Sequence, residues 1–206
     1  MKKRTCGIFI FDGFADHEVS LATAWLLMAG GWSVETFSSE GLSVTSMSGL
    51  RVVPHACLEE VEPDDHDFLL LPGGDKWEKG DNLEIFPLLK NSFGRRPVAA
   101  ICAGTLALAD LGFLDDIPHT SNFPGYLDQY CPNYQGAGMY RHQPCVNADG
   151  IITASGVAIV ELAHEILHHF GIFSGQRACD WKELYLTGGR EQRFFNTLRE
   201  IYETPQ

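Results

Sequence analysis

Apolar positions along this chain fall into short unbroken runs separated by stretches of longer period. Thr5 to Phe11 alternates and then runs apolar, which predicts a first strand. Asp12-Gly13 turns the chain, and Glu18, Leu21, Ala24, Trp25 and Met28 recur at helical spacing from about Asp16 until Gly30-Gly31 stops them. Trp32 to Ser38 predicts a second strand, and Gly41 to Pro54 a small hairpin turning at Gly49. Asp67 to Leu71 is a buried strand ending at Pro72-Gly73-Gly74, and Leu83 to Phe93 is helical. Val98 to Cys102 is another short apolar run, and the Ala- and Leu-rich stretch after it is a helix stopped at Gly112. Ile117 to Ser121 predicts a strand and Tyr126 to Tyr140 a loop with room for a short helix. Pro144 to Val146 and Gly150 to Ala154 predict strands, Val157 to Phe170 a helix, and Asp180 to Tyr202 one or two more.

Strands alternating with helices imply an α/β fold, with a doubly wound, mostly parallel sheet and helices on both faces. The 206 residues suit a single domain over 1–206, in which the helical segment from about 176 is the least diagnostic part. In such sheets ligands bind beyond the carboxyl ends of the strands. Asp12 to Glu18, Pro72 to Asp75 and Cys102 to Thr105 each lie just past such an end.

Cys102 carries the chemistry. A cysteine pinned between a buried strand and a helix sits on a sharp turn, where unpaired N–H groups and the helix dipole favour thiolate over thiol. Ala103 and Gly104 keep the turn tight and leave the sulfur approachable. This is a nucleophile elbow with Cys in place of Ser.

Composition narrows the partners. A net charge of -12 and a pI near 5.0 repel phosphate backbones and anionic membranes. No apolar run is long enough to span a bilayer, and Met1-Lys2-Lys3-Arg4 leads into a strand, so a cytoplasmic location is expected. The six cysteines are scattered without a CxxC pair, which points to reduced thiols; Cys6 and Cys145 read as small core hydrophobes. Trp25, Trp32, Trp77 and Trp181 read as core and interface residues. No GxGxxG follows a strand and no GxxxxGK[ST] is present, so no dinucleotide or P-loop site, and no cofactor, is implied.

His164-Glu165-Ile166-Leu167-His168 matches HExxH, which on a zinc-protease helix supplies two imidazole ligands and a general base. The metzincin third ligand would fall at Ser174, and helical geometry groups Ile159, Leu162, Ala163, Ile166, Leu167 and Phe170 on the core face. His164, Glu165 and His168 then point towards solvent. A zinc peptidase is therefore a remote alternative, and no metal site is expected.

The segments Phe14-Ala15-Asp16-His17-Glu18, Leu71-Pro72-Gly73-Gly74, Ala100-Ile101-Cys102-Ala103-Gly104 and Thr153-Ala154-Ser155-Gly156 resemble, in order and spacing, the DJ-1/PfpI (ThiJ/PfpI) superfamily. The resemblance reaches to about Phe170. It implies a flavodoxin-like fold related to class I glutamine amidotransferase domains and assembly into a homodimer or larger homo-oligomer. It also implies a small-molecule enzyme of hydrolase, hydratase or glyoxalase type, with a redox or stress sensor using the same cysteine as the alternative. Glu18 then takes the place of the acidic residue that hydrogen-bonds the sulfur, and a carboxyl in a desolvated pocket stays protonated and donates. Glu18 also suits a first helical turn, and Asp16 an N-cap. Gly74, after a buried strand, and Ala103 bring N–H groups towards a developing oxyanion, although Gly-Gly alone is also a tight turn. The chain departs from the peptidase branch, which has His where Ala103 stands. His119 occupies the segment from which relatives bring side chains towards the sulfur; it also fits a satisfied core histidine, with Asn122 and Thr120 the alternatives on the opposite strand face.

Overall fold

The computed structural model describes residues 3–190 together with 195, 196, 198 and 199. In chain order the elements are β1 (Thr5–Phe9), α1 (Asp16–Gly30), β2 (Ser33–Ser38), β3 (Val44–Thr45), β4 (Arg51–Val52), β5 (Ala56–Cys57), β6 (Phe68–Leu71), α2 (Asp75–Glu78), α3 (Phe86–Ser92), β7 (Val98–Ile101), α4 (Thr105–Asp110), α5 (Tyr126–Tyr130), β8 (Cys145–Ala148), β9 (Ile151–Ala154), α6 (Ile159–His169) and α7 (Gly175–Thr187).

Seven strands form one sheet in the order β5-β2-β1-β6-β7-β9-β8. All pairs are parallel except β8 with β9. The central strands β6, β7 and β9 are buried along their whole length, which is why their sequences are continuous apolar runs rather than alternating ones. β2 lies on one side of β1 and β6 on the other, so right-handed crossovers carry the helices to opposite faces. On one face α1 packs against α6 and α6 against α7, with Trp25 edge-on to Trp181 at 5.9 Å and to Phe173 at 5.6 Å. α4 packs against α2 and α5. All four tryptophans are buried, as their place in the apolar pattern predicts. No helix among the described residues is long and apolar enough to cross a membrane.

Two local expectations are corrected, and one strand was not foreseen. Ile117 to Ser121 is not a strand: its one ladder contact is an isolated bridge from His119 to Tyr140. Both positions beside β7 are already taken by β6 and β9, and the Thr120 N–H is held instead by Thr153 Oγ1 at 2.9 Å. Asp16 is not the N-cap of α1; Ala15 is. The Asp16 carboxylate accepts from the Ser48 amide at 3.2 Å and the Ser48 hydroxyl at 2.5 Å, tying the β3–β4 hairpin to the start of α1. The two-residue β5, too short to leave a periodic signal, extends the sheet beyond β2.

Candidate active site

β1, β6 and β7 end at Phe9, Leu71 and Ile101, so all three segments marked in the sequence lie at one edge of the sheet. Beyond β7 the chain turns sharply into a 3-10 turn over Cys102–Gly104 that feeds α4. Cys102 sits at φ 57, a left-handed conformation that costs an L-residue about 1–2 kcal/mol. Packing holds it there. A Cβ on Gly104 would lie 2.5 Å from the Leu71 carbonyl oxygen and 2.8 Å from that of Pro72, so only glycine lets the turn seat on the end of β6. The Thr105 hydroxyl donates to the Cys102 carbonyl at 2.7 Å and pairs with Ser121 Oγ at 2.7 Å.

The first turn of α1 supplies the acid. Glu18 is 3% exposed, its Oε2 accepts the Gly73 N–H at 2.7 Å, and its carboxyl lies beside the Cys102 sulfur. Two glycines wall this pair. A Cβ on Gly73 would fall 2.7 Å from Cys102 Cβ, 2.9 Å from its Sγ and 2.8 Å from Glu18 Oε2. A Cβ on Gly156, just past β9, would fall 2.8 Å from the same sulfur and 3.2 Å from Glu18 Oε1. Backbone thus closes in on the thiol from two strand ends.

Of the alternatives after α4, Asn122 is the one that reaches the sulfur. Its Nδ2 lies 3.5 Å from Cys102 Sγ, and its Oδ1 accepts the Gly156 N–H at 3.0 Å. That second bond fixes which end of the amide is the oxygen. His119 is fully buried, with Nδ1 at 2.8 Å from the Ile117 carbonyl and Nε2 at 2.5 Å from the Tyr134 hydroxyl. Both of its nitrogens are committed inside the core, and burial pushes its pKa down. The Ala103 N–H is bonded to the Cys102 sulfur, and Gly74, at φ 153, is packed so that a Cβ would lie 2.6 Å from the Phe11 ring.

The electrostatics correct the expected thiolate. Burial pushes the Cys102 thiol up to about 11, the charge of Glu18 adds to this, and the bonds from Asn122 and the Ala103 N–H oppose it. α4 has six residues, too few for its dipole to outweigh desolvation and a neighbouring carboxylate. Burial also pushes Glu18 above its ordinary value, against the Gly73 bond. Acid and thiol each make the other's charge harder to form, and their titration belongs to the pair.

His164, Glu165 and His168 lie on α6. His164 Nδ1 is 3.4 Å from Glu165 Oε1 and its ring stacks on His168 at 6.1 Å. His164 and Glu165 are half-buried rather than turned to solvent, because α7 packs on this helix. Among the described residues no group of three or more His, Cys, Asp or Glu is arranged to hold a metal ion. The cysteines are free thiols, with Cys6 and Cys131 buried and Cys179 exposed.

Two participants left little trace in the sequence. Gly156 belongs to a quoted motif but carries no side chain to mark a role, and its only signal is its place just after a buried strand. Tyr126, which opens the short helix for which the loop had room, is 2% exposed and donates its hydroxyl hydrogen to Glu78 Oε1 at 2.7 Å.

Comparison with known proteins identifies the family. The model of the DJ-1/PfpI family matches residues 4–169. A Bacillus subtilis protein named uncharacterized protease YoaZ is 31% identical over 98% of this chain and 99% of its own. A deglycase of Pyrococcus abyssi is 37% identical over 41% of this chain and 52% of its own. Among solved structures, a thiJ/pfpI family protein from Bacillus anthracis superposes with a TM-score of 0.89 at 30% identity, covering 99% of both chains. The DJ-1 superfamily protein Atu0886 from Agrobacterium tumefaciens gives 0.83 at 35% identity, over 91% of this chain and 100% of its own.

Proposed function

The chain belongs to the DJ-1/PfpI family, and we propose that it is a cysteine-dependent enzyme acting on a small electrophilic molecule, with hydrolase, hydratase or glyoxalase-type chemistry. The observation that carries this reading is the juxtaposition of Cys102, strained at φ 57, with buried Glu18. Relatives named protease and deglycase are in keeping with an enzyme.

In the hydrolytic form, Cys102 Sγ bonds to an electrophilic carbonyl carbon as its proton passes to the Glu18 carboxylate. The π pair moves to the carbonyl oxygen, which the N–H groups of Gly74 and Ala103 receive. Collapse of this intermediate breaks the bond to the leaving group, which takes the proton from Glu18. Water then attacks the thioester carbon, gives its proton to Glu18, and the departing sulfur recovers it. Because the pair stores its proton on sulfur at rest, the strong nucleophile forms only as the acid takes that proton. The glycine walls favour a slim substrate, since the flanks of the sulfur are already in contact with backbone.

The test is turnover of a panel containing a 2-oxoaldehyde, a small ester and a small nitrile by the protein and by its Cys102→Ser variant. Turnover lost in a variant that unfolds like the parent supports the proposal. Turnover unchanged by the substitution contradicts it.

A further inference from the structure

Resting on the reading of Cys102 as the reactive thiol, we propose that Ser121 is a positioning residue that fixes the elbow through Thr105 while its neighbour Asn122 holds the sulfur. Two rotations decide where the thiol points: the backbone rotation that orients the Cys102 carbonyl and the side-chain rotation that carries Sγ. Both are held from the same short segment. The Thr105 hydroxyl donates to the Cys102 carbonyl at 2.7 Å, and Thr105 Oγ1 lies 2.7 Å from Ser121 Oγ. A carbonyl only accepts, so the single hydroxyl hydrogen of Thr105 goes to Cys102 and Ser121 must be the donor to Thr105. The hydrogens therefore run one way, from Ser121 to Thr105 to the Cys102 carbonyl. Asn122 takes the other end of the same residue: its Nδ2 lies 3.5 Å from Sγ, with the Gly156 N–H on its Oδ1 at 3.0 Å.

A threonine that bonds back one turn along its own helix is common and carries no message by itself. What sets Thr105 apart is the donor behind it. Thr105 and Ser121 are 0% and 1% exposed, so bulk water does not stand in for either partner. The grip also has a fixed base. Thr153 Oγ1 on β9 accepts the Thr120 N–H at 2.9 Å, and the Thr120 hydroxyl donates to the Gln143 carbonyl at 2.8 Å. The Tyr140 hydroxyl donates to the Ser121 carbonyl at 3.3 Å. A left-handed φ of 57 is unfavourable at Cys102, so the elbow keeps it only where its surroundings hold it. With the chain intact, the sulfur stays at the Asn122 N–H, which favours thiolate. With the chain cut, the elbow relaxes and the sulfur leaves that donor.

The experiment measures alkylation of Cys102 by iodoacetamide across pH, resolved by peptide mass spectrometry because Cys57, Cys145 and Cys179 are not buried. Ser121→Ala should alkylate roughly three- to tenfold more slowly at neutral pH, with its profile displaced upward. Thr105→Val, which keeps the shape and loses the hydroxyl, should do the same, and Thr105→Ser, which keeps the hydroxyl, should restore the parental profile. Because the two side chains act as one chain, Ser121→Ala combined with Thr105→Val should be no slower than Thr105→Val alone. Thr120→Val controls for packing: it removes a hydroxyl of the same segment that lies outside the chain, so it should keep the parental profile. Parental profiles in both Ser121→Ala and Thr105→Val overturn the proposal, and so does additive slowing in the double variant. Equal displacement by Thr120→Val overturns it too, since the packing of the segment would then be setting the sulfur. If Thr105→Val fails to fold, Ser121→Ala against Thr120→Val decides. Because no substrate is involved, turnover that survives Cys102→Ser would retire the nucleophile while leaving this outcome intact.

Discussion

The carboxyl of Glu18 and the sulfur of Cys102 lie side by side in a niche closed by the backbone of Gly73 and Gly156. The pair joins the first helix to a strand end in the middle of the chain. It places an acid whose charge is disfavoured by burial beside a thiol whose ionisation is disfavoured for the same reason. Each group makes the other's charge harder to form.

Glu18→Gln separates the chemical and structural consequences of that arrangement. Gln keeps an acceptor for the Gly73 N–H but cannot take the sulfur's proton, so turnover should fall by about 10²–10⁴-fold. The carboxyl's raised pKa means that its stabilising effect is complete below the ordinary value of 4.5 and is lost as pH rises and charge is forced into the niche. Glu18→Gln should therefore melt a few degrees higher than the parent at neutral pH, and the advantage should vanish in acid. Thermal melts at several pH values check this.

The same substitution should change the thiol. With the Glu18 charge gone, the alkylation midpoint of Cys102 should fall below about 11, since that charge is the second cause holding it up. The sign also bears on stability. Cys102 contributes stability in full below the ordinary thiol value of 9.0, and loses it as pH rises towards 11, a loss absent from Cys102→Ala.

Gly73→Ala and Gly156→Ala test the walls. Either Cβ would lie within 3.0 Å of Cys102 atoms, so each variant should lose about 1–3 kcal/mol of stability and most of its turnover. Gly73 and Gly156 do not have a positive φ, so the effect is contact with the sulfur and not backbone strain. Chemical denaturation alongside thiol alkylation measures both parts.

Cys102 itself should show the strain of the elbow. Cys102→Gly relieves the left-handed φ that Cys102→Ala retains, so the glycine variant should be more stable by about 1 kcal/mol, a rise in Tm of about 2–4 °C. Equal melting temperatures would mean that the turn is not strained.

His119→Ala should behave as a core substitution. It removes partners from Ile117 and the Tyr134 hydroxyl, costing about 1–3 kcal/mol, while the alkylation profile of Cys102 stays unchanged. A displaced profile would place His119 in the chemistry after all.

Strand ends were legible because buried parallel strands are written as unbroken apolar runs, and Phe68–Leu71 and Val98–Ile101 lie within two such runs. The elbow was legible for the same reason: Cys102, Ala103 and Gly104 stand where one run stops and a helix starts. The ionisation of Cys102 was not. It depends on how deeply the sulfur is covered and on which way Glu18 points, and both are set by contacts between distant segments. His119 and Asn122 show the same limit. His119 lies in, and Asn122 just past, a short segment read as a strand, but the sheet had no vacant place beside β7 and the segment crosses as irregular chain. The face each residue presents then follows from individual hydrogen bonds, such as Thr120 to Thr153, that no periodicity announces. Tyr126 and Glu78 meet for similar reasons, at the ends of two short helices, α5 and α2, whose placement is tertiary.

The most direct measurement is peptide-resolved mass spectrometry of the protein quenched during turnover of a small ester or 2-oxoaldehyde. A covalent adduct on the Cys102 peptide, formed and lost at the rate of turnover and missing from Cys102→Ser, is the predicted result. Steady turnover with Cys102 unmodified, and undiminished when serine replaces it, would contradict the account.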